Sequence, residues 1–491
     1  MDDFGGGPAR TCQVFTQKGD AGPKSPLSVI AMAGTVTATR TARVPAPPDS
    51  RPGDQAWTVG VVVAANCFVV IGLWLRHGGL HTIGTPGGPL TAAGQVLGLV
   101  GTYAVLVELL LMSRIGWLER SIGFDRLAVW HRWAGFSAVT LLVGHAVFIT
   151  LGYAEGSGQS IPTQVGDFIR HYPDVLMSIV GLALFLAVAI TSVRVARRRL
   201  SREGWYAVHL YAYLAVALSF AHQLSVGTDF TTDAVARVWW VGLYVAVFGA
   251  ILAWRVGRPL LFNAHHRLRI ESIRDEANGV VSLYITGRDL GAIDAEAGQF
   301  FLWRFLTGAG WAKAHPFSLS AAPNGRFLRI TVKTLGDDTA RIRRLGRGVR
   351  IFAEGPYGTF TAGRRTRSRV ALIAGGIGIT PLRSLLEVLP GDSGDITLLY
   401  RVATDADVAF RDELARLARA RGIEVRILVG ADIGDDQTDR LGVPALQEMI
   451  PDIAARDVYV CGPPGLVDAV RRRLAMLGVP AAQTHFERFE Y

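Results

Sequence analysis

Cysteine is nearly absent. Cys12, Cys67 and Cys461 are the only three in 491 residues, and their wide separation excludes a four-thiolate iron–sulfur site and a disulfide framework. Charge is scarce too. Asp, Glu, Lys and Arg make up 19% of the chain, against roughly 25% in a typical soluble domain. Hydrophobic residues make up 50% and mean hydropathy is +0.28, so part of this chain belongs in lipid. A net charge of +10 invites a nucleic-acid reading, but the basic residues gather between apolar stretches. Arg194, Arg197, Arg198, Arg199 and Arg202 form such a group, and there they set membrane topology. A chain of this length suggests two or three domains, at about 100 to 200 residues each.

Residues 1–54 are rich in Gly, Pro, Ala, Thr and Arg without periodicity and read as a disordered tail. The apolar run Leu27–Val36 is short, broken by Gly34 and preceded by a polar leader, unlike a signal peptide. Residues 55–260 hold six stretches near the roughly 20 apolar residues that cross a bilayer: approximately 57–75, 92–112, 127–151, 174–195, 205–224 and 235–256. The tail, the loop with Arg114, Arg120 and Arg126, the cluster before Ser201, and Arg255 with Arg258 all fall on one side. The positive-inside rule assigns that side to the cytoplasm. A multi-pass protein of the cell membrane is expected, with both termini cytoplasmic.

Residues 261–366 change to short alternating runs, Leu268–Ile270, Val280–Ile285 and Phe327–Val332, punctuated by Gly and Asn. That is the pattern of a small antiparallel β-barrel. Over residues 367–491, apolar strands (Val370–Ala374, Ile396–Tyr400, Val425–Val429, Val458–Cys461) alternate with helical segments, the pattern of an α/β parallel sheet. The expected fold class is therefore multidomain: a six-helix transmembrane bundle, an antiparallel β-barrel and an α/β parallel-sheet domain.

Four histidines stand out in the bundle. His131 and His145 fall on the third span as His-x13-His, about 21 Å apart along a helix axis. His209 and His222 fall on the fifth as His-x12-His, about 20 Å apart. Both spans enter from the same side, so His131 matches His209 in depth and His145 matches His222. Two levels, each with two imidazoles from two helices, suit two haems with bis-histidine axial ligation. Ionisable residues inside a membrane are costly and are functional candidates by default. For any one histidine taken alone, the alternative is a polar residue bonded between helices. At about 100° per residue, a separation of 14 returns within about 40° of one face, while 13 misses by about 140°. A bend, a tilt or a local irregularity is expected in the fifth span.

This arrangement resembles the membrane domain of the NADPH oxidase and ferric reductase family, as does His131-Arg132-Trp133-Ala134-Gly135 at the start of the third span. Arg132 either faces a haem propionate or anchors topology. The resemblance extends through the soluble half. His315-Pro316-Phe317-Ser318-Leu319-Ser320 is similar to the family's flavin-binding strand, which implies FAD, with Phe317 on the isoalloxazine and Ser318 at its N5 edge. Val332-Lys333 and the stretch Gly336 to Thr339 follow. The resemblance implies that Lys333 supplies charge for the pyrophosphate and that Gly336 and Thr339 donate to it. Gly355-Pro356-Tyr357-Gly358 resembles the turn that closes the family's barrel.

Gly375, Gly376, Ile377, Gly378 and Thr380 lie between an apolar strand and a helix, where glycines admit a phosphate to the helix N-terminus. Cys461-Gly462-Pro463 is similar to the family's motif beside the nicotinamide, which implies that Cys461 positions that ring and is not a nucleophile. Arg401 stands where a guanidinium can hold a ribose 2′-phosphate, favouring NADPH over NADH. The C-terminal run His485 to Tyr491 resembles the aromatic segment that covers the flavin, and Phe489 and Tyr491 compete for that place.

The implied function is a transmembrane oxidoreductase. Electrons pass from cytosolic NADPH through FAD and two b-type haems to an outside acceptor, dioxygen or a ferric chelate. Membrane lipid surrounds the bundle, nucleic acid is not an expected partner, and no protein partner is indicated. Two alternatives stand beside it: a flavohaem module serving a partner protein or quinone, and a flavin reductase with the bundle as anchor.

Overall fold

The computed structural model describes residues 52–193, 199–231, 233–308, 311, 313–430 and 439–489. Arg194, Arg197, Arg198 and Tyr491 lie outside them, as does the expected tail up to residue 51. Six helices among the described residues are long and apolar enough to cross a membrane: Trp57–Arg76, Gly88–Leu111, Arg126–Ser157, Val175–Ser192, Gly204–Val226 and Ala234–His266. Their outward faces carry large apolar side chains in the open, such as Phe68 (74% exposed), Val238 (72%) and Trp133 (69%). Hydrocarbon tolerates such a surface, while each helix satisfies its own backbone polar groups.

The second span packs closely on the third because glycines remove the Cβ atoms that would hold them apart. A Cβ on Gly98 would meet His145 Nδ1 at 2.5 Å, and one on Gly152 would meet the Thr91 side chain at 2.4 Å. Small residues at such contacts supply the dispersion on which helix association in lipid depends. The sixth span runs through a π turn, Leu252–Gly257, into Arg258–His266. Its 33 residues extend about 50 Å, beyond the roughly 30 Å of a hydrocarbon core. The emerging end reaches the barrel. There Asn263 donates to Ala353 O at 2.7 Å and accepts from Ala353 N at 2.8 Å, as a neighbouring strand would.

Six strands follow: β1 (Arg269–Ala277), β2 (Val280–Thr286), β3 (Phe300–Phe305), β4 (His315–Ser318), β5 (Leu328–Lys333) and β6 (Ile351–Tyr357). They form two antiparallel sheets, ordered β1-β2-β5 and β4-β3-β6. Period-two alternation sends Ile270, Leu283, Phe301, Trp303 and Ile330 into the shared core. The stretch Gly355–Gly358, expected as a turn, instead begins inside β6. Phe300 pairs with Tyr357 and Leu302 with Glu354, so β6 carries an extra residue and bulges. Gly355 takes φ 151° there, and a Cβ on it would meet the Phe301 ring at 2.7 Å.

The last domain is one parallel sheet built from β7 (Val370–Gly375), β8 (Ile396–Val402), β9 (Glu424–Val429), β10 (Asp457–Gly462) and β11 (Thr484–Arg488). Its order is β11-β10-β7-β8-β9. The chain starts at the centre, builds outward to β9 and returns to the opposite side with β10. The crevice at the C-terminal ends of β7 and β10 is thus the topological switch point where such sheets take ligands. A buried ionic network joins this domain to the barrel. Arg329 on β5 donates to Glu413 Oε1 at 2.8 Å, and Arg383 Nε stands 2.8 Å from Glu413 Oε2. Burial would raise the Glu413 carboxyl, but the two guanidiniums outweigh it and hold the group below its ordinary range.

Candidate functional site

The third and fifth spans bring the four histidines together as two pairs. Ring centres of His131 and His209 stand 5.9 Å apart, and those of His145 and His222 stand 6.4 Å apart. An imidazole nitrogen binds a transition metal at about 2.0 Å and lies about 1.1 Å from its ring centre, so two imidazoles on opposite sides of one ion stand about 6.2 Å apart. Nitrogen partners then decide which atom is free. His145 Nδ1 lies 2.8 Å from Gly94 O, and His222 Nδ1 lies 2.7 Å from Ser219 O. A carbonyl only accepts, so each Nδ1 carries the proton and each Nε2 keeps its lone pair, as in a metal-ligating histidine. The residues fit a pair of bis-histidine haems.

The helix Arg202–Val226 is α-helical throughout, so the local irregularity expected in the fifth span is absent. Trp205 stacks on His209 with ring centres 4.8 Å apart. Glu108 of the second span, which the sequence reading passed over, places Oε1 at 3.4 Å from His131 Nδ1. A lone carboxyl within the apolar run 92–112 was the available signal.

The His131–His209 level lies toward the soluble module. Arg114, just past the second span, sits between the rings of Phe124 and Tyr357, 4.5 Å from each. It pairs with Glu119 at 3.5 Å. Tyr357 donates to Glu354 Oε1 at 3.1 Å, and Arg304 donates to Glu354 Oε2 at 3.2 Å. Burial pushes Glu119 above the usual carboxyl range, with Arg114 opposing and Glu354 adding to the rise. Burial likewise pushes up the Tyr357 phenol. The bulged β6 therefore seats the barrel on the loop that opens the third span.

At the barrel's other face, β4 presents His315 and Phe317 with parallel rings 5.7 Å apart. Pro316 between them is exposed, and Ser318 is buried. Ser318 Oγ donates to Glu487 Oε1 at 3.3 Å. Glu487 lies on β11 in register with Cys461 on β10. Burial, then the Glu487 charge, push the Cys461 thiol well up, away from the thiolate that a nucleophile needs. Glu487 is a second residue missed from sequence, because its segment was read for its aromatic rings. Phe489 N donates to Gly462 O at 3.3 Å, which returns the C-terminal segment to the crevice.

The glycine turn closes on the same place. A Cβ on Gly378 would stand 2.1 Å from Cys461 O, and one on Gly375 2.9 Å from Leu466. Gly376 takes φ 54°, and the Thr380 hydroxyl donates to Ile377 O at 3.0 Å. The turn Gly375 to Thr380 and the segment Cys461-Gly462-Pro463 therefore line one crevice, at a helix N-terminus able to receive an anion.

Four expected contacts are placed differently. Val332 is 1% exposed within the barrel core, so only its backbone can face a cofactor. The Thr339 hydroxyl accepts from Leu335 N and Gly336 N at 2.9 and 3.2 Å and donates to Gly336 O at 2.9 Å. It serves its own turn. Lys333 reaches toward Asp407 at 3.5 Å, which leaves its charge partly engaged. Arg401, expected to meet a 2′-phosphate, turns inward at the end of β8. Its Nη1 donates to buried Asp439 at 3.0 Å, and Arg473 donates to the same carboxylate at 2.6 Å. A guanidinium so engaged is not a free phosphate clamp.

Comparison with known proteins separates the two halves. Residues 97–220 match a ferric reductase like transmembrane component, a match that ends two residues before His222. Residues 372–472 match an oxidoreductase NAD-binding domain. Ferredoxin–NADP reductase B of Sorangium cellulosum is 30% identical over 237 residues, 45% of this chain and 96% of that protein. The soluble half belongs to the ferredoxin–NADP reductase family, and the bundle carries a segment similar to a ferric reductase like transmembrane component. The chain is a multi-pass membrane protein whose soluble half is a reductase-type FAD- and NAD(P)-binding module. The Vibrio cholerae flavohemoprotein is 30% identical over 260 residues, 50% of this chain and 63% of the relative. The chain thus spans under two thirds of that relative's length. The solved flavohem-like FAD/NAD binding domain of Vibrio cholerae nitric oxide dioxygenase is 28% identical, covering 46% of this chain and 99% of that one, with a TM-score of 0.39.

Proposed function

We propose that the chain takes reducing equivalents from NADPH on the side of its soluble module and releases them across the cell membrane to dioxygen or a ferric chelate. Both termini lie in the cytoplasm. The double pairing of His131 with His209 and His145 with His222, at 5.9 and 6.4 Å, is the observation that supports this best. FAD and two b-type haems, when bound, supply the exchange between a two-electron donor and one-electron carriers.

The chain's own residues hold and orient. The four histidines would hold the haems, His145 and His222 on Nε2. Phe317 and Ser318 receive the flavin, and Phe489 or Tyr491 covers it. The turn Gly375 to Thr380 takes the pyrophosphate, while Cys461 and Pro463 border the nicotinamide. Arg401 no longer argues for NADPH. Likeness to the Sorangium cellulosum reductase, named for NADP, keeps that donor ahead of NADH.

Proteoliposomes with the soluble module facing outward and cytochrome c trapped inside test the reading. External NADPH should reduce the trapped acceptor with wild-type protein and not with His145→Ala, while reduction of external dye persists in both. Trapped cytochrome c reduced by neither protein, with external dye reduced by both, would make the bundle a mere anchor, and equal reduction by both would mean that the path does not use His145. Sensitivity of the signal to superoxide dismutase then separates dioxygen from direct reduction.

A further inference from the structure

Ser320 closes the segment His315–Ser320 and takes no part in the site so far. It is fully buried, two residues beyond Ser318, and both soluble domains reach it. From the barrel, Arg329 donates to Ser320 O at 2.6 Å and to its Oγ at 3.1 Å, while Thr331 donates to the same Oγ at 2.7 Å. From the nucleotide domain, Arg383 donates to Ser320 O at 3.1 Å. Arg383 belongs to the helix Ile379–Val388, which the glycine turn opens. Its neighbours repeat the grip. Ser384 Oγ accepts from Gly298 N at 2.9 Å, and Glu387 Oε2 accepts from Ala322 N at 2.5 Å. Glu387 Oε1 also stands 2.5 Å from Arg383 Nη1. Residues at i, i+1 and i+4 fall within about 100° of one another on a helix, so one whole side of this helix is bonded to barrel backbone.

Resting on the proposed flavin and nicotinamide sites, we infer that Arg383, Ser384 and Glu387 are positioning residues that hold the glycine turn at a fixed distance from the flavin strand, with Ser320 as the joint. Domains within one chain move against each other by default. Here Ser320, Arg329, Arg383 and Ser384 are all buried, and a buried polar network whose members are bonded rigidifies what it joins. Transfer between two rings needs reacting atoms about 3 to 3.5 Å apart, a tolerance that a free hinge does not keep. The crevice beside Cys461 is thus a fixed slot. The same helix that receives a pyrophosphate at its N-terminus sets, through its side, how far the nucleotide stands from Ser318.

Two measurements on the full-length, FAD-loaded protein test this. NADP+ added to the oxidised protein perturbs the flavin absorption where the two rings meet. In Arg383→Leu the amplitude of that change should fall by half or more, with the half-saturating NADP+ concentration unmoved. Anaerobic rapid mixing should show flavin reduction at saturating NADPH slowed by about 10²-fold, the scale of a misplacement near 1 Å. Arg383→Lys, which keeps one donor for Ser320 O, should recover part of both. Ser384→Ala removes only the bond from Gly298 N and should move both readouts the same way by a smaller amount, which covers the case that Arg383→Leu does not assemble. Variants that melt earlier yet keep the wild-type amplitude and reduction rate would overturn the inference alone, leaving the cluster a stability contact. A higher half-saturating concentration with amplitude and rate unchanged would overturn it too. A wild type that retains no FAD, or whose flavin does not respond to NADP+ or NADPH, would remove the proposed sites and this inference with them.

Discussion

Ser318 Oγ donates to Glu487 Oε1 across 3.3 Å, and so ties the barrel's edge strand β4 to β11, the last strand of the nucleotide sheet. Glu487 stands beside Cys461 in the ladder, so the pair joins the edge of β4 to the crevice beside Cys461. Ser318→Ala should lower the rate of NADPH-to-dye transfer by about 10²-fold, the scale of a misplacement near 1 Å, with haem content unchanged. Stopped-flow flavin reduction measures it. A change in KM alone would make the pair a nucleotide-binding contact.

Arg114 lies between Phe124 and Tyr357, 4.5 Å from each ring, and ties the bundle to the barrel. Arg114→Ala should leave NADPH-to-dye reduction intact and slow anaerobic haem reduction by tenfold or more, since small displacements at a docking surface weigh heavily on transfer. Rapid-mixing spectroscopy at the haem band reads the difference directly.

Glu413 carries a pH dependence. Its folded carboxyl lies below the ordinary value of 4.5 because Arg329 and Arg383 outweigh its burial. Stability from this network is therefore complete above about pH 4.5 and fades as the pH falls through the lower folded value. Thermal melts between pH 3 and 7 should show wild type losing more Tm toward acid than Glu413→Gln.

Much of the fold was legible because its period is simple. Six apolar runs mark the spans, and the strands of the parallel sheet are near-continuous apolar segments such as Val370–Gly375, buried on both faces. β3 and β6 were missed. Their aromatic and charged residues, as in Phe300–Phe305, blur the alternation. The histidine pairs were readable from spacing, since matched depth is a property of helix rise. Glu108 and Glu487 were not, because each meets a neighbour far away in sequence. Gly94, Gly98 and Gly152 likewise make sense only once the third span is seen against the second.

Arg401 marks where local sequence misled. A strand-end arginine is a fair 2′-phosphate candidate, yet Asp439, far along the chain, claims its guanidinium at 3.0 Å. Arg401→Ala leaves Arg473 on Asp439 and should destabilise the nucleotide domain by about 1.5 to 3 kcal/mol, the scale of one hydrogen bond to a charged group. The ratio of NADPH to NADH rates should change little. A large loss confined to NADPH would return Arg401 to the phosphate site.

The most direct measurement of the central claim is a haem count with a reduced-minus-oxidised spectrum on the purified full-length protein. Anaerobic NADPH should reduce two b-type haems per chain in the wild type, with one lost in His145→Ala. Fewer than two in the wild type, or both retained in His145→Ala, would contradict it.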